Sequence, residues 1–167
     1  MKSIVVFYSR ADENYFSGEY RYIEVGNTEK AAKIIADLKG CDIFKIEQKI
    51  PYAADYKTCI NQAKADKNGD ARPEIMGIPE NIDSYDEIYP GYPNYWGTMP
   101  MAVFTFLEKV NWTGKKIYPF CTHEGSGMGN SERDLAKICK GVKIFKGLAI
   151  NGSSVDESKE IIKKWLS

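Results

Sequence analysis

The sequence predicts an α/β fold: a doubly wound, five-stranded, mostly parallel sheet in the order 2-1-3-4-5, with helices on both faces. Three observations predict it. Short apolar runs alternate with segments of helical period along all 167 residues, the pattern of strands joined by right-handed crossovers. The first apolar run closes on Tyr8, Ser9 and Arg10, and Gly26, Asn27 and Thr28 open a helix sixteen residues later, so the two pieces together make one anion site. The loops after the first, third and fourth strands all carry unusual chemistry, and in this strand order their carboxyl ends are neighbours at the topological switch point.

Each element has its own signal. Ile4 to Ser9 is a continuous β-rich run, as expected of a strand buried on both faces. Ala31, Ile34, Ile35 and Leu38 recur at helical spacing, and Gly40 supplies a stop. Asp42 to Glu47 alternates like an exposed edge strand, and Asp55 to Lys67 reads as an amphipathic helix. Gly69, Pro73, Gly77 and Pro79 make the next stretch irregular until Tyr85 to Pro90 forms the third strand. A helix from Met99 to Val110 follows, with Pro100 in its first turn. Lys116 to Thr122 is the fourth strand, Glu132 to Lys140 a short helix and Val142 to Ile150 the fifth strand. The last helix starts near Ser154, which has capping-box spacing to Glu157.

Composition narrows the function. The chain suits a single domain spanning residues 1–167, and its 23 basic residues balance 23 acidic ones, which argues against nucleic acid as a partner. The only apolar stretch at the amino terminus is Ile4 to Phe7, too short for a signal segment or a membrane span, so a cytoplasmic location is expected. Cys41, Cys59, Cys121 and Cys139 are far apart and include no Cys-x-x-Cys pair, which suits reduced structural thiols. His123 is the only histidine, so a histidine metal cluster is excluded.

The three loops carry the chemistry. Ser9, Asn27 and Thr28 offer hydroxyl and amide groups beside a helix N-terminus, and Arg10 can add a bidentate contact to an anion. The second loop, Gly91 to Pro100, sets Tyr92, Tyr95 and Trp96 among glycines and prolines, suited to covering a flat π-system. The third, Thr122 to Gly129, is glycine-rich but lacks the Gly-x-Gly-x-x-Gly fingerprint of dinucleotide binding, because position 130 is Asn. Gly125, Ser126 and Gly127 fall short of a hydrolase nucleophile elbow. The His123 and Glu124 pair reads as surface hydrogen-bonding groups, and no catalytic residue is assigned.

With these residues in view, the chain resembles the flavodoxin-like superfamily, specifically bacterial flavodoxin-family proteins with a split phosphate loop. The resemblance rests on Tyr8 to Tyr15, Gly26 to Lys30, Gly91 to Pro100 and Pro119 to Gly129. It implies FMN as cofactor, with Ser9, Arg10, Asn27 and Thr28 around its phosphate. It implies further that Pro93, Asn94, Tyr95, Trp96 and Gly97 line the flavin, and that Thr122, Glu124, Gly125, Ser126 and Gly127 bound its other side. Two features depart from short-loop flavodoxins: Ala11 to Val25 interrupts the phosphate loop, and the loop after strand four has His123 and glycines where an aromatic usually stands. The net charge also lacks the acidity that would favour a basic redox partner.

The resulting expectation is an FMN-binding redox protein that carries electrons between partner proteins, as a monomer or homodimer, with no membrane attachment. The alternative is an NAD(P)H-dependent flavin or quinone oxidoreductase with an open flavin face beside Gly125 to Gly129. An FMN-free interaction module ranks third. A carbonyl near Gly97 is expected to meet N5 of reduced flavin after a peptide reorientation that glycine makes cheap. Within Ala11 to Val25, Ser17 and Gly18 predict the turn of a short hairpin or ordered flap.

Overall fold

The computed structural model describes residues 1–167. Its strands are β1 (Ser3–Phe7), β2 (Asp12–Phe16), β3 (Glu19–Ile23), β4 (Asp42–Lys45), β5 (Glu87–Pro93), β6 (Lys116–Ile117), β7 (Phe120–His123), β8 (Lys143–Ile144) and β9 (Leu148–Asn151). Its helices are α1 (Asn27–Lys39), α2 (Tyr56–Asn68), α3 (Met101–Leu107), α4 (Ser131–Ile138) and α5 (Lys159–Leu166). The main sheet is parallel throughout, in the order β4-β1-β5, then β6 and β7, then β8 and β9. That is the predicted 2-1-3-4-5 order, with the fourth and fifth strands each split in two.

The split has a backbone cause. Ile88 pairs Ile117 and Gly91 pairs Phe120, so Pro90 and Pro119 face each other where the ladder breaks, and neither has an N–H to give. Beside the break, Tyr118 stacks on Tyr89 at 4.8 Å and on Phe145 at 4.3 Å. On the outer neighbour, a side chain at Gly147 would strike the Met128 methyl at 2.5 Å. The third strand also runs to Pro93 rather than Pro90, which carries it straight into the aromatic loop.

Alternation along β1 divides the core. Ile4, Val6 and Tyr8 face a large cluster with Tyr92, Met99, Phe106, Leu107 and Leu135. Val5 and Phe7 face a smaller one built on Ala31, Ala32 and Ile35 of α1 and Ile162 of α5. Lys115 is buried, and its ammonium donates to the carbonyls of Ile82, Asp83 and Tyr85, so its charge is spent on a turn. All four cysteines are free thiols; burial pushes Cys121 and Cys139 up to about 12.

Three elements differ from expectation. Gly152–Glu157 is a 3₁₀ turn capped by the Asn151 side chain on the Ser153 amide, and α5 starts only at Lys159, so the Ser154–Glu157 capping box does not form. Helix α3 is shorter at both ends than Met99 to Val110. Helix α2 has as its main neighbours the β2–β3 hairpin and α3, which places it beside the carboxyl ends of the strands. The hairpin itself forms as predicted: β2 and β3 pair antiparallel, and Ser17 and Gly18 turn with φ of 47° and 98°.

Candidate functional site

A slot of about 530 Å³ lies beyond the carboxyl ends of β1, β5 and β7, within the size range of a single cofactor or drug-sized ligand. Of the residues singled out from sequence, Ser9, Arg10, Asn27, Thr28, Pro93, Asn94, Tyr95, Trp96, Gly97, Thr122, Glu124 and Ser126 line it. Gly125 and Gly127 belong to the same loop but do not face the slot. Eight lining residues were not anticipated: Asn14 and Tyr15 from the hairpin, Tyr56, Cys59, Ile60 and Ala63 from α2, and His123 and Gly152. Tyr56, Ile60 and Ala63 recur at helical spacing, so their common face was legible in the sequence, but its destination was not.

At one end the split loop closes around the start of α1. Gly26 occupies the N-cap, and a Cβ there would lie 2.2 Å from Ser9 Oγ and 2.7 Å from the Arg10 carbonyl. With glycine the chain comes close enough for Ser9 Oγ to accept the Glu29 amide at 3.0 Å, a cap supplied from another segment. Asn27 and Thr28, the first two helical residues, have amides with no intrahelical acceptor. Buried Thr28 Oγ1 pairs with Thr122 Oγ1 at 2.7 Å, tying the first loop to the third. The Asn27 side-chain oxygen and Arg10 Nε are buried without any hydrogen-bond partner.

Arg10 is committed differently from the expected bidentate grip on an anion. Its two terminal nitrogens donate to the carbonyls of Glu13, Ala53 and Ala54, which commits three of its five N–H groups. Arg10 therefore fastens the hairpin to the segment before α2. A second tie joins the Tyr56 amide to the Glu13 carboxylate at 2.8 Å. At the hairpin tip, Glu124 Oε2 accepts from Ser153 Oγ at 2.8 Å and from Ser17 Oγ at 3.3 Å. Glu124 is thus also the anchor for the far end of the hairpin.

At the other end, Tyr95 to Thr98 is a two-residue hairpin. Trp96 and Gly97 have φ of 54° and 84°, and Tyr95 and Thr98 exchange backbone bonds of 2.8 and 3.2 Å. Asn94 clamps the turn: its Oδ1 accepts from the Gly97 amide at 2.9 Å and its Nδ2 donates to the Gly127 carbonyl at 2.8 Å. The Asn130 amide donates to the Gly97 carbonyl at 2.7 Å, a contact close enough that a Cβ on Gly129 would sit 2.4 Å from that oxygen. Lys67 Nζ holds the Trp96 carbonyl at 2.5 Å, and Trp96 Nε1 donates to the Ile60 carbonyl at 2.9 Å. These bonds correct the expectation of a cheaply reorienting peptide at Gly97, because both carbonyls of the turn are already engaged.

Between the two ends, Tyr95 packs edge-on against Tyr8 at 5.9 Å, and burial, reinforced by the neighbouring Tyr8 and Cys59, pushes its phenol well above the usual range. Burial likewise raises Cys59 and Tyr56. The Tyr95, Cys59 and Tyr56 side chains are therefore held neutral, with the Arg10 guanidinium as the charge beside them. His123 Nδ1 accepts the Gly125 amide at 2.8 Å and so shapes its own loop. No group of three or more His, Cys, Asp or Glu side chains is placed to hold a metal ion, and no helix is long and apolar enough to cross a membrane.

A family model described as flavodoxin matches residues 15–167. A crystal structure of a candidate flavoprotein from Bacteroides uniformis is 26% identical with a TM-score of 0.77, covering 97% of each chain. A flavoprotein from Lactobacillus acidophilus, solved in complex with FMN, shares the fold at 22% identity and TM-score 0.67, over 93% of this chain and 97% of that one. An uncharacterized protein of Methanocaldococcus jannaschii is 30% identical over 103 residues, 62% of this chain, and the match spans 50% of that relative's length.

Proposed function

The chain belongs to the flavodoxin family, and on that footing we propose that it binds FMN in the slot and carries electrons through it between partner proteins. The observation that carries the proposal is the phosphate end. The unpaired amides of Asn27 and Thr28 and the Ser9 hydroxyl are donors brought to one place, as an anion at a helix N-terminus requires. The ring-lined stretch between Tyr95, Trp96 and the 122–126 loop suits a flat heterocycle. Bound FMN would supply the one- and two-electron chemistry. The protein would orient it, exclude water with the α2 and hairpin wall, and hold the 95–98 turn rigid.

A second reading, an NAD(P)H-dependent flavin or quinone reductase, is favoured by one observation: the loop after β7 carries His123 and glycines and no aromatic ring that would cover the flavin face. Reconstitution with FMN followed by anaerobic mixing with NADPH or NADH separates the readings. A yellow protein that stays yellow supports the carrier, rapid bleaching supports the reductase, and a protein that takes up no FMN defeats both.

A further inference from the structure

The rim of the slot is electrically divided. On one side, the hairpin segment 11–25 carries Asp12, Glu13, Glu19 and Glu24 against a single arginine. On the other, α2 carries Lys57, Lys64 and Lys67 against a single Asp66, whose carboxylate is taken by the Tyr52 hydroxyl at 2.5 Å. None of the three lysines forms an ion pair. Lys57 and Lys64 are two turns apart and share one flank of the helix, and Lys67 follows on the slot-facing stripe after Ile60 and Ala63. The row is about 15 Å long at 1.5 Å per residue.

At the end of this row sits Trp96, which lines the slot and is still 41% exposed. Lys64 Nζ lies 5.0 Å over its ring and Lys67 holds its carbonyl. A protein docked on the lysines would therefore rest against a residue that also bounds the cofactor slot. We propose that the α2 lysine row with Trp96 is the docking face for an acidic, one-electron redox protein. The proposal rests on the carrier reading and names its partner's chemistry. Since the molecule is neutral overall, the local patch and not net charge would steer the encounter. A three-lysine contact around one aromatic suits the small, salt-sensitive interfaces of transient electron transfer. Each encounter moves one electron: the partner is oxidised by one and the bound flavin reduced by one, so two encounters reduce it fully.

The test uses the FMN-loaded protein with two probes, a reduced acidic [2Fe–2S] ferredoxin as donor and an oxidised basic cytochrome c as acceptor, followed by stopped flow. Expected for the wild type is a ferredoxin rate that falls about tenfold or more as salt rises. In K57E/K64E that rate falls by a similar factor at low salt, while cytochrome c reduction speeds up. The K163E/K164E variant on α5, with the same change in net charge, leaves both rates near wild type. A ferredoxin rate indifferent to salt, or equal in K57E/K64E and K163E/K164E, overturns the proposal. So does an effect of K57E/K64E confined to the KM for NADPH, which would assign the lysines to a nucleotide. Failure to take up FMN is read separately, from colour, and counts against the functional reading itself.

Discussion

The two walls of the slot are built by opposite means. The inner wall is made of the loops that leave β1, β5 and β7, and its parts are fixed by close approach at glycines, Gly26 against Ser9 and the Arg10 carbonyl and Gly129 against Gly97, with the Thr28 and Thr122 hydroxyls paired between them. The outer wall is the hairpin and α2, held to the rest by a few polar ties, chiefly Arg10 on three carbonyls, Glu13 on Tyr56, Glu124 on Ser17, and Lys67 with Trp96. The difference teaches which wall sets stability. Close approach at a glycine tolerates no added atom, whereas polar ties at a surface can be broken one at a time for modest cost.

The comparison breaks most visibly at Gly26. Gly26→Val places side-chain atoms where Ser9 Oγ and the Arg10 carbonyl already sit, and should lower unfolding free energy by about 3 kcal/mol and abolish FMN uptake. Urea unfolding and FMN titration measure the two effects; a variant that binds FMN normally would refute the tight inner wall. Alkaline pH tests the same wall through Cys121 on β7. The folded protein keeps this thiol protonated up to about 12, against an ordinary value of 9.0. Its share of stability is therefore complete below pH 9 and drains as pH rises toward 12. Cys121 alone should account for about 2 kcal/mol lost between pH 9 and 11, and Cys121→Ala should reduce the loss of stability over that range by that amount.

The outer wall should respond less. Arg10→Met removes the donors to Glu13, Ala53 and Ala54 and is expected to cost about 2 kcal/mol, with faster proteolysis between residues 11 and 25 and faster FMN release. If the hairpin stays resistant to protease, Arg10 is not its fastener. Glu124→Gln should do least, under about 1 kcal/mol, because the amide can still accept from Ser17 and Ser153 while losing the charge. A small rise in FMN affinity is expected as well, since the variant removes a carboxylate beside an anion site; isothermal titration would show it, and a fall in affinity would contradict it.

Much of the inner wall was legible because its cues are local. Apolar runs, glycines and helix-start residues announce strands, close approaches and caps wherever they stand in a chain, and of the fourteen residues that the family resemblance set around the cofactor, twelve line the slot. The outer wall was only half legible. Ser17 and Gly18 predicted the hairpin turn, and Asp55 to Lys67 reads as an amphipathic helix, but nothing local says that its apolar face covers a slot rather than the sheet. Arg10 was misjudged for a related reason: its sequence neighbours advertise an anion site, while the carbonyls that take its terminal nitrogens at Ala53 and Ala54 come from more than forty residues away.

By itself, then, the sequence determined the alternation of strands and helices and the chemistry of three strand-end loops, because hydrophobic period and turn chemistry act over a few residues and survive in any context. Only the tertiary structure decided where α2 and the hairpin would lie, what Arg10 and Glu124 would bind, and that the 95–98 turn would be tied on both sides. Those outcomes depend on contacts between segments far apart in the chain, each worth little alone and specified only once the sheet has brought its carboxyl ends together.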